Sequence, residues 1–157
     1  MRRIIVRWLA GTLALIFLTL GGCGKPKPPS FTEAEGTVML DGKPLPFAFV
    51  EFMPNLPKFG AEYNSSATTD ENGHYRLVSG HEQQPGAAIG KHRVVIREAP
   101  APQDMRGMDG DSQERYARYV AGLKNRPIPE NYGTAATTPL SVEVTADKKT
   151  YDFQLTR

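Results

Sequence analysis

Four sets of residues have the types and spacing to do chemistry. The only cysteine, Cys23, follows Leu20-Gly21-Gly22 at the end of an apolar run from Trp8 to Leu20, broken by Gly11, Thr12 and Thr19. A lone thiol has no partner for an intrachain disulfide, and it sits beside two small residues where a secretion signal would be cut. The histidines are His74, His81 and His92, and none lies in a His-Glu-x-x-His pattern, so a zinc-peptidase reading fails. His81 adjoins Glu82, a pairing that solvated surface residues supply more often than a metal site does. Ser65 and Ser66 precede a turn and lack the Gly-x-Ser-x-Gly elbow of a hydrolase nucleophile. Asp109-Gly110-Asp111 with Glu114 is acidic, but the spacing is that of a helix start rather than a calcium loop. Glycine loops that cradle phosphate are absent from the sequence. The expectation is no catalytic residue, no metal and no cofactor.

That leaves Cys23 and the segment that positions it. Arg2, Arg3 and Arg7 precede the apolar run without an acidic residue among them. A positive start, a short apolar core and small residues at the cut describe a secretory signal peptide. The run falls short of the roughly 20 residues that a comfortable membrane span needs, which weakens the competing reading of an uncleaved anchor helix. Leu20-Gly21-Gly22-Cys23 resembles the lipobox of bacterial lipoproteins. The resemblance implies that Leu20, Gly21 and Gly22 are recognised by the signal peptidase and that Cys23 takes the diacylglycerol. Lipidation also explains an odd thiol in a secreted chain.

Cleavage would change the charge. The whole chain carries 19 basic and 17 acidic residues; losing Arg2, Arg3 and Arg7 leaves 16 against 17, a net charge of −1. The basicity belongs to the signal, so nucleic acid is not an expected partner. Residues 1–22 are then the signal and 23–33 a lipidated cysteine with a proline-rich tether. Pro26, Pro28 and Pro29 favour extended chain there. Residues 34–157 form one domain.

Within that domain short alternating runs are separated by turn signals. Glu35 to Leu40 leads into Asp41-Gly42-Lys43-Pro44, a hairpin turn of the Asp-Gly type. Phe47, Phe49, Val50 and Phe52 form a second run, ending at Pro54. Ser65 to Thr69 leads into Asp70-Glu71-Asn72-Gly73, then His74 to Val78 with Tyr75 and Leu77 on one face. His92 to Arg97 follows, and the last pair is Leu140 to Thr145 and Tyr151 to Leu155, joined by the polar Ala146-Asp147-Lys148-Lys149. Gly42 and Gly73 suit turn positions with positive φ, Asp41 and Asp70 suit bonds to amides just ahead of them, and Tyr75 and Phe47 suit the core.

The stretch from Ala99 to Pro139 is too long for an ordinary connection. Part of it reads as one short helix, with Asp111 as N-cap, Glu114 three residues later, and Tyr116, Tyr119, Val120 and Leu123 at helical spacing. Pro127 and Pro129 end it soon after Gly122. Tyr116, Tyr119, Arg115 and Arg118, with Met105, Met108 and Arg106, have the composition of an interaction surface. The alternative is that the helix covers an open sheet edge.

Glu35-Gly36-Thr37-Val38 with Asp41-Gly42-Lys43-Pro44-Leu45 resembles the first hairpin of carboxypeptidase regulatory-like domains, and Thr69-Asp70-Glu71-Asn72-Gly73-His74-Tyr75 their second turn. Gly86 through Ile96 is similar to a later strand of that family, with His92 in place of an aromatic residue. Ile128-Pro129-Glu130-Asn131-Tyr132 and Thr137-Thr138-Pro139-Leu140 resemble the late segment of small planctomycete-type lipoproteins. The resemblance implies an all-β, transthyretin-like (prealbumin-like) antiparallel β-sandwich of about seven strands. It says little of function. A purine-pathway hydrolase shares that fold, but its closing Tyr-Arg-Gly-Ser signature is replaced here by Phe153-Gln154-Leu155-Thr156-Arg157. The expected role is a non-catalytic structural or protein-binding module of the cell envelope, held to the membrane by N-terminal acyl chains, its partner an envelope protein or polymer. The rival is a carbohydrate- or small-ligand-binding accessory of an envelope enzyme, which requires exposed rings among Tyr63, Tyr116, Tyr119 and Tyr132.

Overall fold

A computed structural model describes residues 27–57 and 59–157. Leu20, Gly21, Gly22 and Cys23, and with them the expected signal segment, lie outside the described residues. Eleven strands follow in order among those described: β1 (Phe31–Thr32), β2 (Glu35–Leu40), β3 (Lys43–Pro44), β4 (Ala48–Pro54), β5 (Ser65–Thr68), β6 (His74–Arg76), β7 (Val78–Ser79), β8 (Ala87–Ala88), β9 (Gly90–Glu98), β10 (Ser141–Val144) and β11 (Phe153–Leu155). One helix, α1, spans Gly110–Gly122 between β9 and β10.

Alternation builds the layers. In β2 every second residue is buried, so Gly36, Val38 and Leu40 face inward; β4 buries Ala48, Val50 and Phe52 in the same rhythm. One sheet has the order β10-β9-β4-β5-β7; in the other, β2 lies between β11 on one side and β3 and β6 on the other. Their apolar faces meet at Phe52, whose ring lies 6.2 Å from Tyr75, 6.0 Å from Tyr151 and 5.9 Å from Phe153. The last two are edge-on at 78° and 77°, an orientation that the ring quadrupole favours. The chain changes sheets at Leu77: Tyr75 belongs to β6, beside β2, whereas Val78 pairs with Ser66 of β5. Both Tyr75 and Leu77 are buried, as their spacing predicts.

The turn chemistry is met at two glycines. Leu40 pairs with Lys43 across Asp41 (φ 52°) and Gly42 (φ 72°), the double positive φ of a two-residue hairpin. Gly73 sits at φ 75°, and Asp70 Oδ1 accepts from the amides of Asn72 and His74 at 2.8 and 2.9 Å. Asp41 departs from the expected pattern. Its carboxylate accepts from the backbone amide and guanidinium of Arg157 rather than from amides just ahead.

Three further expectations need correction. The final strand is not a hairpin partner of β10. β11 pairs in parallel with β2, Phe153 opposite Val38, so the polar link 145–152 carries the chain from one sheet to the other. Phe47 is not in the core: it is half-buried, at φ 53°, while Ala48 takes the inward position. The N-cap of α1 is Asp109, two residues earlier than expected, where its Oδ1 accepts from Ser112 N at 2.9 Å. The hydroxyl and amide of Ser112 hold the Asp109 carboxyl below its ordinary range, as suits an anion at a helix N-terminus.

Candidate functional site

Residues 99–139 divide into two parts with different jobs. The part from Pro129 onward lies along β9. Val94 donates to the Leu140 carbonyl at 3.0 Å, the Thr138 hydroxyl to the Val94 carbonyl at 2.7 Å, and Tyr132 is buried in the core. Beyond Arg93, where pairing with β10 ends, this segment satisfies polar groups that the edge would otherwise leave open. The edge-covering role expected of the helix therefore falls to the chain after it.

Residues 99–125 leave the sandwich and return as an arm. At its neck Arg126 Nε donates to Glu98 Oε2 at 2.7 Å, Nη2 to the Pro46 carbonyl at 2.7 Å and Nη1 to the Lys124 carbonyl at 2.9 Å. Asn125 adds a clasp. Its Nδ2 faces the carbonyls of Leu40, Lys43 and Pro44 at 3.0, 3.1 and 3.2 Å, and its Oδ1 accepts from Arg157. Asn125 sits at φ 58°, a region that asparagine visits more readily than most residues. Asn125 and Arg126 are the residues that sequence reasoning missed. An asparagine and an arginine just before a proline, shortly after a helix end, were the available signal.

The helix itself is almost entirely exposed: apart from Ser112 and half-buried Tyr119, every residue of α1 faces solvent. Its substantial packing partner is the 3-10 turn Gln103–Met105. The four proposed surface residues are brought together on it, but they are not equally free. Tyr116 and Tyr119 stack with ring centroids 6.4 Å apart at 28°. Arg115 is committed to the arm, donating to the Ser112 hydroxyl at 2.9 Å and the Asp104 carbonyl at 3.2 Å. Arg118 lies 3.5 Å from Glu114, one turn earlier, with both side chains open to water. Met108, at 95 % exposure, precedes the cap.

The arm and the tether lie at opposite ends of the sandwich. The tether enters beside Glu35: Phe31–Thr32 pairs with Ala87–Ala88, and Lys149 Nζ donates to Glu33 at 2.7 Å. Asn125 grips the other end of β2, past Leu40. Six residues of strand separate the two ends, about 20 Å. β9 spans the same poles, from Ile89, whose amide donates to the Ser30 carbonyl, to Glu98 at the neck.

The other chemistry-bearing residues are dispersed. His74 is exposed, and His81 stacks on Tyr63 with centroids 4.6 Å apart. His92 is buried, its Nε2 2.7 Å from the Ala88 carbonyl and its ring 5.7 Å from Phe52. Burial, opposed in part by that hydrogen bond, pushes its pKa down. His92 is thus packed among core side chains. Among the described residues no group of three or more His, Cys, Asp or Glu is placed to hold a metal ion. Ser65 is fully buried, with no hydrogen-bond partner for its Oγ among the described residues. Of the four candidate tyrosines for a ring-lined ligand surface, Tyr63 and Tyr132 are buried and Tyr116 is exposed. Comparison of the chain with protein-family models, with curated proteins and with solved structures finds no match.

Proposed function

We propose that this chain is an extracytoplasmic lipoprotein, acylated at Cys23, whose transthyretin-like domain is a non-catalytic module that binds another component of the cell envelope. The observation that carries the binding role is the placement of α1. A polar 13-residue helix gains little from the sandwich, and isolated helices of that length are marginal in water. It nevertheless displays a stacked tyrosine pair at the pole away from the tether. An acyl anchor at residue 23 would set the tether pole toward the membrane and leave α1 reaching outward. The transthyretin-like assignment is supported by two facing sheets, by seven strands of three residues or more, and by both family-like turns. The non-catalytic reading rests on the missing nucleophile, metal and phosphate motifs of the sequence.

The test is capture from detergent-solubilised envelope with Cys23 intact, comparing the unmodified chain with a Tyr116→Ala/Tyr119→Ala variant. A saturable partner lost in the variant, with the thermal transition unchanged, is the expected result. Recovery of only lipid and nonspecific protein, or equal capture by both, would contradict it.

A further inference from the structure

The base of the arm and the β2–β3 hairpin enclose a cleft that none of the preceding roles uses. Two adjoining depressions, of about 450 and 250 Å³, share Pro46, Glu71 and Lys124 as walls. Lys43 closes one end; Phe47 and Leu123 line the other.

The backbone around the cleft is tied down while its cations are not. The carbonyl of Lys43 accepts from Asn125 and that of Lys124 from Arg126. Yet neither ammonium forms an ion pair among the described residues. Thr69 fixes the third wall: its hydroxyl donates to the Leu45 carbonyl at 2.7 Å and accepts from Ala48 N at 2.8 Å, and its carbonyl accepts from Phe47 N at 3.1 Å. Those bonds hold Phe47 at φ 53°, a conformation that is an outlier for a bulky residue, and place its ring at the cleft instead of in the core. Backbone strain of this kind gathers at binding sites.

We propose that this cleft binds an acidic peptide segment of a partner protein, its carboxylates on Lys43 and Lys124 and an apolar side chain against Phe47, Pro46 and Leu123. The proposal rests on the protein-binding reading and names the partner's chemistry. Glu71 within the cleft disfavours a dense polyanion, and the cleft faces away from the tether, which disfavours an anionic lipid surface.

The experiment is an amide-shift NMR titration of the full chain in detergent micelles. The probe is a capped five-residue peptide with phenylalanine flanked by two aspartates; its asparagine isostere is the control. Saturable shifts at Lys43, Phe47 and Leu123 are expected, with binding about tenfold weaker for the isostere and for the Lys43→Gln/Lys124→Gln variant. Glu71→Gln should tighten the aspartate peptide alone. Equal binding of both peptides, displacement by inorganic phosphate, or no saturable shift would overturn the cleft. If envelope capture through Tyr116 and Tyr119 persists without peptide binding, the cleft falls and the binding-module reading stands. Peptide binding without envelope capture through Tyr116 and Tyr119 supports the cleft and removes the tyrosine pair as the partner surface.

Discussion

Glu98 and Arg126 close the arm at its neck: the last residue of β9 accepts from Arg126 Nε at 2.7 Å, where the chain rejoins the sandwich. The Arg126 side chain is 13 % exposed and Glu98 50 %, so the arginine is the partner with more to lose. Arg126→Ala also strands the Pro46 carbonyl and should cost about 2 kcal/mol in urea unfolding. Glu98→Gln, which leaves the Pro46 bond in place, should cost under about 1 kcal/mol. Equal losses would show that the neck is not held as described.

Asn125 combines a left-handed backbone with a side-chain clasp, and two substitutions separate the contributions. Both Asn125→Gly and Asn125→Ala lose the clasp, but only alanine must also adopt φ 58°. Alanine should therefore be the less stable by about 1 kcal/mol, read as the difference in denaturation midpoints at a common slope. Indistinguishable midpoints would contradict the strain argument.

The helix should melt without the sandwich. Asp109→Ala removes the cap, which costs about 1 kcal/mol of helix stability. Since α1 packs on the Gln103–Met105 turn, amide exchange should quicken in 110–122 and stay unchanged in β4 and β9. Uniform quickening would mean that the arm and the sheets unfold together.

His92 supplies a pH dependence whose sign follows from burial. Its folded pKa lies below the ordinary 6.5, so the unfolded chain binds the proton first as pH falls. Above both values the residue contributes no slope; below about 6.5, stability drops until the folded pKa is reached. His92→Phe, which keeps a ring against Phe52, should reduce the decline in Tm between about pH 7 and pH 5. An unchanged decline would place the effect elsewhere.

Much of the fold was legible, and where reading stopped has a physical reason. Alternation in β2 and β4 and the glycines at 42 and 73 state local geometry directly, because strand faces and left-handed turns depend on neighbouring residues. Long-range pairings carry no such local mark. That β11 would lie parallel to β2, or that Asp41 would bind Arg157 rather than its own turn, depends on partners 115 or more residues away. Phe47 misled for a related reason: its apolar character suits a core, but Thr69 sets the backbone there. For the candidate site, the helix and its tyrosines were visible as a periodicity. The clasp and the cleft, assembled from segments about 80 residues apart, were not.

Gly36 illustrates a constraint invisible to pattern. A Cβ built there would lie 2.0 Å from the Tyr151 carbonyl oxygen, which also accepts from the Tyr75 hydroxyl at 2.5 Å. Gly36→Ala should cost about 3 kcal/mol. Gly110→Ala, whose Cβ meets nothing within 4 Å, should be neutral or stabilising. Tolerance of both would contradict the close approach.

Mass spectrometry of the mature N-terminus decides whether the domain is held to a membrane through Cys23, as proposed. We expect a chain beginning at residue 23, its sulfur carrying diacylglycerol, since one acyl chain binds marginally and two or more anchor stably. In a Cys23→Ala variant the precursor should stay uncleaved and take up no palmitate label. A mature protein that begins at Met1 with a free Cys23 thiol would contradict the claim.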